Sequence, residues 1–288
     1  MKIAHRPEEL PAAERAVAIG SFDGVHLGHR RVLEAARSAG SPATAVTFWP
    51  HPRLVLGNQV ELLSTLERRI ELLDDAGMDE VLVVEFTPEL ARRQPAEFAE
   101  SLLHEIGARV IAVGEDFRFG HAAAGDPALL KRLGFDVRTV PMLADVSSTR
   151  IRTFLRGGDV EGAARLLARP PEIEGTVVPG FQRGGTLGYP TANLAVPPNM
   201  LVPAYGIYAG AALGHRAAIS IGVNPHYGGD ERRVEPHLLD FEGDLYGKRL
   251  VVELWRRLRD EQAFASEAEL VAQIARDVEE TRAAERPR

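Results

Sequence analysis

Hydrophobic runs and amphipathic segments alternate through the first half of the chain. Short apolar runs rich in β-branched residues predict buried strands, and apolar positions three or four residues apart predict the helices between them. A repeated strand–helix order favours a mostly parallel sheet covered on both faces, which is an α/β fold. The strands are predicted at residues 16–20, 43–48, 80–86, 108–114 and 135–140.

The pattern changes after Arg169, where two prolines end the helical signals because residues before proline leave the helical region. Short β-like runs punctuated by glycine and proline then predict a small antiparallel β-barrel. Ser266 and Glu269 have the spacing of a capping box and predict a terminal helix that packs on the barrel. Two domains are therefore predicted, residues 1–168 and 169–288. The β-like runs are 172–178, 205–213, 215–223, 234–241 and 249–255.

Composition narrows the possible functions. The chain has 288 residues, 45% of them hydrophobic, a formal net charge of -7 and no cysteine. Bulk electrostatics therefore predicts no general affinity for nucleic acid, and disulfides and thiolate metal sites are excluded. The first ten residues contain no long apolar run, and no stretch reaches the length of a membrane span. We expect a soluble cytoplasmic protein without nucleic-acid or membrane partners, and the oligomeric state stays open.

The candidate chemistry begins in the first strand–turn–helix unit, where AIGSFDGVHLGH occupies residues 18–29. An apolar strand breaks at Gly20, and two histidines, His26 and His29, follow at the start of a helix predicted near His29. A helix N-terminus offers unpaired N–H groups and a partial positive charge, so together with two imidazoles it suits a nucleoside triphosphate. The sequence is neither a Walker A motif nor GxGxxG.

Three more turns follow predicted strands. TFWPHPR at residues 47–53 and VGEDFRFG at 113–120 lie at carboxyl ends of strands, where ligands gather in parallel sheets. SSTRIR at 147–152 follows the last strand of the first half, and its hydroxyl residues are typical of a helix N-cap. Arg150 and Arg152 gain nothing from the helix dipole near that N-terminus, so their placement favours a clamp on phosphate groups.

The second half has its own signals in GTVVPGFQRGGTLGYPTANL, residues 175–194. Its glycines make a loop whose backbone can approach phosphates closely. Thr191 and Asn193 stand two residues apart, on one side of an extended chain, and their uncharged oxygens suit Mg²⁺ that keeps waters and phosphate ligands. Glu235 lies in a predicted strand and is a candidate acceptor for the proton of an attacking hydroxyl.

Five motifs of the first half resemble those of one family. GSFDGVHLGH, TFWPHPR, STLERRIELL, GEDFRFG and SSTRIR look like the N-terminal module of the bacterial bifunctional riboflavin kinase/FAD synthetase family, over nearly all of residues 15–155. The resemblance implies a Rossmann-like nucleotidyltransferase that transfers AMP from ATP to FMN, releasing pyrophosphate and yielding FAD. It also implies that His26 and His29 are catalytic, holding the ATP phosphates and stabilising the transition state.

The same resemblance implies which residues surround the two substrates of that reaction. Those implied in binding ATP and its phosphates are Gly20, Phe22, Asp23, Gly24, Gly28, Ser148, Thr149 and Arg150. Those implied in binding the flavin are Phe48, Pro50, His51, Asp116 and Phe117.

Motifs of the second half resemble the riboflavin kinase module of the same family over roughly residues 172–265. They are GxVxxGxxRG, LGYPTANL, GIYAG, IGVNP, VEPHLLDFEGDLYG and LRDEQAF. The resemblance implies phosphorylation of riboflavin by ATP, with Mg²⁺ as the cofactor. Thr191 and Asn193 are then metal ligands, and Glu235 is the catalytic base for the ribityl 5′-hydroxyl. The residues implied in binding the ATP phosphates of this module are Gly175, Gly180 and Arg183.

Three positions depart from the kinase pattern, and they leave alternatives open. Gly185 stands where the family often has a basic residue, His226 where threonine is usual, and Pro236 follows the candidate base. One competing hypothesis makes the barrel a flavin sensor without kinase activity. Two others are an adenylyltransferase for another phosphate, such as a pantetheine or glycerol phosphate, and a non-enzymatic flavin store. The favoured interpretation is one chain that converts riboflavin to FMN and FMN to FAD, with ATP, riboflavin, FMN and FAD as ligands.

Overall fold

The computed structural model describes residues 1–180, 188–223 and 232–287. Contacts divide the chain into two compact units. The first consists of Met1–Val60 with Leu66–Val146, and the second of Glu61–Thr65 with Ser147–Arg288. A short segment before the third helix therefore belongs to the second unit. The domain boundary predicted after residue 168 stays a prediction.

A parallel sheet forms the centre of the first unit, all of whose residues are described. Its six strands are β1 (Lys2–Ala4), β2 (Arg15–Ile19), β3 (Ala43–Trp49), β4 (Glu80–Glu85), β5 (Ala108–Gly114) and β6 (Asp136–Val140). They lie in the order β1-β4-β3-β2-β5-β6, and every neighbouring pair is parallel. The predicted α/β architecture is confirmed.

Helices cover both faces of this sheet. They are α1 (Leu27–Arg37), α2 (Pro52–Val55), α3 (Leu66–Asp75), α4 (Pro88–Arg92), α5 (Pro95–Phe98) and α6 (Pro127–Arg132). Side chains alternate along β2, so Val17 packs with Phe98 and Leu130 on one face, whereas Ala18 packs with Leu33 and Leu72 on the other. The strands are therefore buried on both sides, which explains their nearly continuous apolar runs.

Three details of this unit differ from the expectation. α1 begins at Leu27, earlier than predicted, because His26 serves as its N-cap. Phe98, Leu102 and Ile106 have helical spacing and predict one helix, but the structure divides it: α5 ends at Phe98 and a π-helical segment, Ala99–His104, follows. The pattern does not predict β1, because three residues are too few to show a periodicity.

The second unit contains a closed antiparallel barrel, as predicted. Its strands among the described residues are β7 (Glu172–Val178), β8 (Asn193–Ala195), β9 (Gly206–Ala212), β10 (His215–Val223), β11 (Arg232–Leu238) and β12 (Arg249–Arg259). They close in the order β10-β11-β8-β7-β12-β9. Val234, Pro236 and Leu238 of β11 are buried, whereas Glu235 and His237 are half-buried. The alternation therefore turns Glu235 and His237 to the outer face of the barrel.

Among the described residues of the second unit, three helices accompany the barrel: α7 (Ser148–Arg156), α8 (Val160–Leu167) and α9 (Glu267–Ala283). α7 and α8 contribute buried side chains to the same hydrophobic cluster as the barrel strands. α9 starts with the predicted cap, in which the Glu269 N–H donates to Ser266 Oγ at 3.3 Å. Arg259 of β12 donates two hydrogen bonds, of 2.9 and 2.7 Å, to Asp277 of α9. Within the described ranges, no helix is long and apolar enough to cross a membrane.

Candidate active sites

The turn after β2 has an unusual backbone. Phe22 and Val25 adopt φ values of 47° and 40°, and Gly24 one of 81°. Positive φ is uncommon outside glycine and strained for a β-branched residue such as Val25. Phe22 and Val25 are both fully buried, and a Cβ added to Gly20 would be 3.0 Å from the Phe22 ring. Core packing therefore holds the turn in one shape, and that shape sets where the following histidines lie.

The two predicted catalytic histidines lie face to face at the start of α1. The rings of His26 and His29 stack with centroids 3.6 Å apart and an interplanar angle of 16°. The His29 N–H donates to Nδ1 of His26 at 3.3 Å, so His26 caps the helix. Phe22 meets His29 edge-on at 5.5 Å. The histidine spacing thus produces a single, ordered imidazole pair.

The close approach of the His26 ring explains why a glycine, Gly28, occupies this position in the motif. A Cβ there would be 3.1 Å from Cε1 and 3.2 Å from Nδ1 of the His26 ring, so a larger residue would displace the cap. The first turn of α1 contains no acidic residue. The partial positive charge of the helix N-terminus therefore meets no carboxylate in that turn, which suits an anion.

Asp23, a predicted phosphate-site residue, is only 2% exposed and forms an ion pair with Arg69 of α3 at 3.5 Å. Arg69 is fully buried, donates to the Phe48 carbonyl oxygen at 3.4 Å, and lies 5.4 Å from the centroid of the Trp49 ring. Burial lowers the pKa of the Arg69 guanidinium, and the charge of Asp23 opposes that shift. Asp23 and Arg69 thus tie the turn to α3 and to the end of β3.

Two of the three predicted flavin-binding residues at the end of β3, Phe48 and His51, have packing or capping roles in this structure. Phe48 belongs to the hydrophobic core, in edge contact with Phe86 at 5.8 Å. His51 is buried and caps α2, since Nδ1 accepts the Arg53 N–H at 3.2 Å. Pro50 is exposed. Phe48 and His51 therefore shape the end of β3, and their contact with flavin stays a prediction.

The turn after β5 holds the other two predicted flavin-binding residues. Asp116 is exposed, and the half-buried Phe117 stacks on Phe119 with centroids 5.6 Å apart. Because β3, β2 and β5 are neighbours in the sheet, the turns that follow them lie at the same carboxyl edge. This is where open parallel sheets bind ligands. Asp116 and Phe117 therefore lie on the same edge as the histidine pair.

Ser148, Thr149 and Arg150 form the first turn of α7, which belongs to the second compact unit. Ser147 caps this helix by accepting the Arg150 N–H at 3.1 Å, and Arg150 is exposed with its guanidinium 5.0 Å from the Phe154 ring centroid. Arg152 has a different environment from the phosphate clamp predicted for it. It is buried, and Nε donates to the Glu61 carbonyl oxygen at 2.6 Å. Arg152 thus anchors the segment Glu61–Thr65.

In the barrel, the two predicted metal ligands lie at the start of β8. Asn193 pairs with Val178 of β7, and Thr191 precedes it by two residues; both are half-buried. A Cβ at Gly180 would overlap the Asn193 amide, so this glycine makes room for that side chain. Gly175 lies within β7. The predicted positions Arg183, Gly185 and His226 lie outside the described residues.

Glu235 lines a cleft of about 350 Å³ on the outside of the barrel. Burial raises the pKa of its carboxyl, against a lowering influence from Arg233 at 4.0 Å. The pKa of Glu261, in the same cleft, is also raised, first by burial, with Arg259 opposing and the charge of Glu235 adding to the rise. Other side chains that line this cleft are Tyr189, Thr191, Ile207, Ser220, His237, Phe264, Leu270, Ile274 and Asp277.

A second cavity, of about 170 Å³, is lined by Thr191, Pro190 and Pro236 and by residues of the loop that follows β11, among them Asp244 and Tyr246. Thr191 is shared by the two cavities. Thr191 therefore borders both cavities, while the larger cleft also contains the Glu235 carboxylate, an acceptor for protons. This arrangement is suited to transfer of a group between two substrates bound on either side of Thr191.

Comparisons with known proteins agree with this geometry. Residues 9–153 match the FAD synthetase family model and residues 167–284 that of riboflavin kinase. The bifunctional riboflavin kinase/FMN adenylyltransferase of Listeria monocytogenes is 33% identical over 97% of this chain and 96% of its own. The chain belongs to this bifunctional family. The relative of the same name from Escherichia coli is 35% identical over 95% of this chain and 93% of its own.

A solved structure also matches this chain over nearly the full length of both. It is described as a macrolide-efflux protein from Streptococcus pneumoniae, with a TM-score of 0.86 and 31% identity. The match covers 97% of this chain and 98% of that chain. The two family models and the two curated relatives confirm the family resemblance found in the sequence.

Four residues of these sites lie outside the set that the sequence predicts. Arg69 and Glu261 sit within motifs that carry the resemblance, STLERRIELL and LRDEQAF, and the spacing of Glu261 marks no role. Arg69 interrupts the apolar stripe of α3, and an arginine in such a stripe signals a buried partner. Arg259 lies in the same motif as Glu261, and His237 lies in VEPHLLDFEGDLYG. Neither motif assigns these two side chains to the cleft, which forms only when distant strands fold together.

Proposed function

We propose that this chain makes FAD from riboflavin in two ATP-dependent steps. The barrel unit phosphorylates riboflavin to FMN, and the sheet unit transfers AMP from a second ATP to FMN, releasing pyrophosphate. The observation that carries the proposal is the match of both family models to consecutive parts of one chain. The two candidate sites support it, because each offers groups suited to its step.

In the kinase step, Glu235 accepts the proton of the ribityl 5′-hydroxyl as its oxygen attacks the terminal phosphorus of ATP, and ADP leaves. The raised pKa of Glu235 supports this assignment, since a carboxylate whose basicity is increased by burial holds the proton better. We assign the flavin to the larger cleft, whose apolar residues suit an aromatic ring system, and the nucleotide to the smaller cavity.

Thr191 and Asn193 are the proposed contacts for Mg²⁺. A hydroxyl and an amide oxygen suit a hard cation that keeps waters and phosphate ligands, and Gly180 leaves room beside the Asn193 amide. Among the described residues no group of three or more His, Cys, Asp or Glu side chains is placed to hold a metal ion. The two uncharged oxygens of Thr191 and Asn193 fit a metal that would arrive bound to ATP and would neutralise phosphate charge.

In the adenylyl step, an oxygen of the FMN phosphate attacks the α-phosphorus of ATP, and pyrophosphate leaves. The chemistry needs no covalent enzyme intermediate, so catalysis consists of positioning and charge stabilisation. His26 and His29 are the proposed donors to the phosphates, supported by the helix N-terminus that carries them. Ser148, Thr149 and Arg150 are proposed to hold the β- and γ-phosphates.

The decisive experiment is product analysis with the purified full chain. Incubation with riboflavin, ATP and Mg²⁺ should yield FMN and then FAD, resolved by chromatography over time. A parallel incubation with FMN and ATP separates the alternatives. No FMN from riboflavin, with FAD formed from supplied FMN, would support the flavin-sensor hypothesis, and FMN without FAD would support an adenylyltransferase for another phosphate. A chain that binds flavin and converts neither riboflavin nor FMN would be a flavin store.

Two substitutions should separate the activities. His29→Ala should slow conversion of FMN to FAD by about 100-fold or more and spare FMN formation, because a donor to developing charge is lost. Glu235→Ala should slow FMN formation by about 100- to 10,000-fold and spare the second step, because the base is lost. His5→Ala and Glu242→Ala, both at exposed positions, are the matched controls. Equal loss of both activities in either active-site variant would contradict the assignment.

A further inference from the structure

Strand β11 lacks one backbone N–H donor, because Pro236 follows the candidate base Glu235. The Ala192 N–H donates to the Pro236 carbonyl oxygen at 2.9 Å, and further along the pair Val234 lies opposite Leu194. Because proline has no N–H, the reciprocal bond from residue 236 is missing. The chain around Thr191 is therefore held to β11 by fewer backbone hydrogen bonds than a regular ladder would provide.

The imidazole of His237 supplies a hydrogen bond of its own at this point. Its Nδ1 lies 2.7 Å from the carbonyl oxygen of Pro190. A carbonyl oxygen only accepts, so Nδ1 must carry the hydrogen and donate it. Tyr189 meets the ring edge-on, with centroids 5.5 Å apart and an interplanar angle of 80°. The ring of His237 is thus fixed in one orientation by two residues that immediately precede Thr191.

We propose that His237 is a positioning residue of the kinase site, which fixes the peptide that leads into Thr191. This inference rests on the proposed kinase function. The proline ring fixes φ of Pro190, so a bond to its carbonyl oxygen fixes the remaining backbone rotation before Thr191. Glu235 and His237 share one face of β11. One strand therefore carries the base and holds the Thr191 hydroxyl in register with it.

A direct role for His237 in binding riboflavin is the competing explanation, because its side chain lines the same cleft as Glu235. The two explanations differ in which kinetic constant changes. A lost substrate contact raises KM for riboflavin, whereas a misplaced Thr191 lowers kcat and weakens the response to Mg²⁺. They also differ in whether another donor at the place of Nδ1 restores function.

The test uses three variants of the full chain. His237→Asn puts an amide N–H near the position of Nδ1, His237→Gln moves that donor further out, and His237→Leu has none. We expect His237→Leu and His237→Gln to lower kcat of FMN formation, and to raise the Mg²⁺ concentration for half-maximal rate, by about 10- to 100-fold. His237→Asn should recover most of the loss. Conversion of FMN to FAD in the same preparations should stay unchanged.

A spectroscopic readout on the unliganded wild type completes the test. Nitrogen NMR of the imidazole should show the hydrogen of neutral His237 on Nδ1, and a hydrogen on Nε2 alone would overturn the proposal. Three kinetic results would also overturn the proposal. They are wild-type kinetics in His237→Leu, a change in His237→Leu that is confined to KM for riboflavin, and equal activity of His237→Asn and His237→Gln. If the wild type forms no FMN, the proposed kinase function fails and this inference fails with it. If the wild type forms FMN but the variants do not behave as expected, the inference about His237 fails and the proposed kinase function stands.

Discussion

The buried ion pair between Asp23 and Arg69 offers a sharp test of how the adenylylation site is held together. Arg69 is 0% exposed and Asp23 is 2% exposed, and their charged atoms are 3.5 Å apart. The perturbation is Arg69→Met, which keeps much of the side-chain volume and removes the positive charge. This substitution removes the Arg69 cation from the Asp23 carboxylate, which is buried in the turn that precedes the histidines.

The expected cost follows from the distance and the burial. At 3.5 Å and an effective dielectric constant of about 20, two unit charges attract by about 5 kcal/mol. Removal of one partner from a buried pair typically costs about 3–5 kcal/mol, because the other charge loses its compensation. With a slope of about 2 kcal/mol per molar urea, the unfolding midpoint of this unit should fall by roughly 2 M.

The assay can use the two tryptophans of the chain as separate reporters. Trp49 lies in the first unit, 5.4 Å from the Arg69 guanidinium, and Trp255 lies in the barrel. In a Trp255→Phe background, urea unfolding followed by tryptophan fluorescence therefore reports on the first unit. FMN adenylylation should also slow in Arg69→Met, because the turn that carries the histidines loses its tie to α3, whereas FMN formation should not change.

Two comparisons decide whether the reasoning is right. Arg92→Met breaks an exposed pair with Glu89, whose side chains are 67% and 74% exposed, and should cost far less because solvent screens exposed charges. Adding Asp23→Asn to Arg69→Met removes the second charge and should recover a large part of the loss. If Arg69→Met were no more destabilising than Arg92→Met, the pair would not hold the turn. If Asp23→Asn deepened the loss, the stranded carboxylate would not be its cause.

Two further predictions concern the barrel. Burial raises the folded-state pKa of Glu235, so the stability that its protonated form contributes is complete below the unfolded-state pKa and is lost as pH rises through the folded-state pKa. Glu235→Gln should therefore stabilise the barrel at neutral pH and less at acidic pH, and an equal gain at every pH in urea titrations would contradict this. Asp277→Asn should cost about 1.5–3 kcal/mol by weakening the bonds from Arg259, measured by Trp255 fluorescence. Asp260→Asn, at an 81% exposed carboxylate, should cost far less; equal losses would refute the role given to Asp277.

The elements with a strong local pattern were the predictable part of this fold. The apolar runs that became β2, β3, β4, β5 and β6 predict a parallel sheet because burial on both faces leaves little room for polar residues. The same pattern locates the candidate site, since the histidine turn and the turns after β3 and β5 follow neighbouring strands. Glycine and proline spacing predicts the barrel for a related reason, because short strands need frequent turns.

What the sequence could not show depends on partners that are distant along the chain. Arg69 pairs with Asp23 across 46 positions, and neither residue type by itself indicates burial. The segment Glu61–Thr65 joins the second unit through single contacts, such as the bridge from Leu62 to Met200 and the 2.7 Å hydrogen bond from Thr65 to Glu174. Isolated contacts of this kind have no periodicity, so no pattern in the sequence predicts them.

The two candidate sites share one physical feature although their chemistry differs. Each retains a local arrangement that is unfavourable by itself. One is the positive φ of Val25 beside the histidines, which costs about 1–3 kcal/mol, and the other is the half-buried carboxylate of Glu235 in the cleft. Val25 is fully buried, and Glu235 alternates with the buried Val234 and Pro236. Core packing therefore maintains both arrangements. The predicted catalytic residues lie where the fold keeps backbone strain or a desolvated charge, next to a helix N-terminus or a cavity. This coincidence supports their assignment independently of the family resemblance.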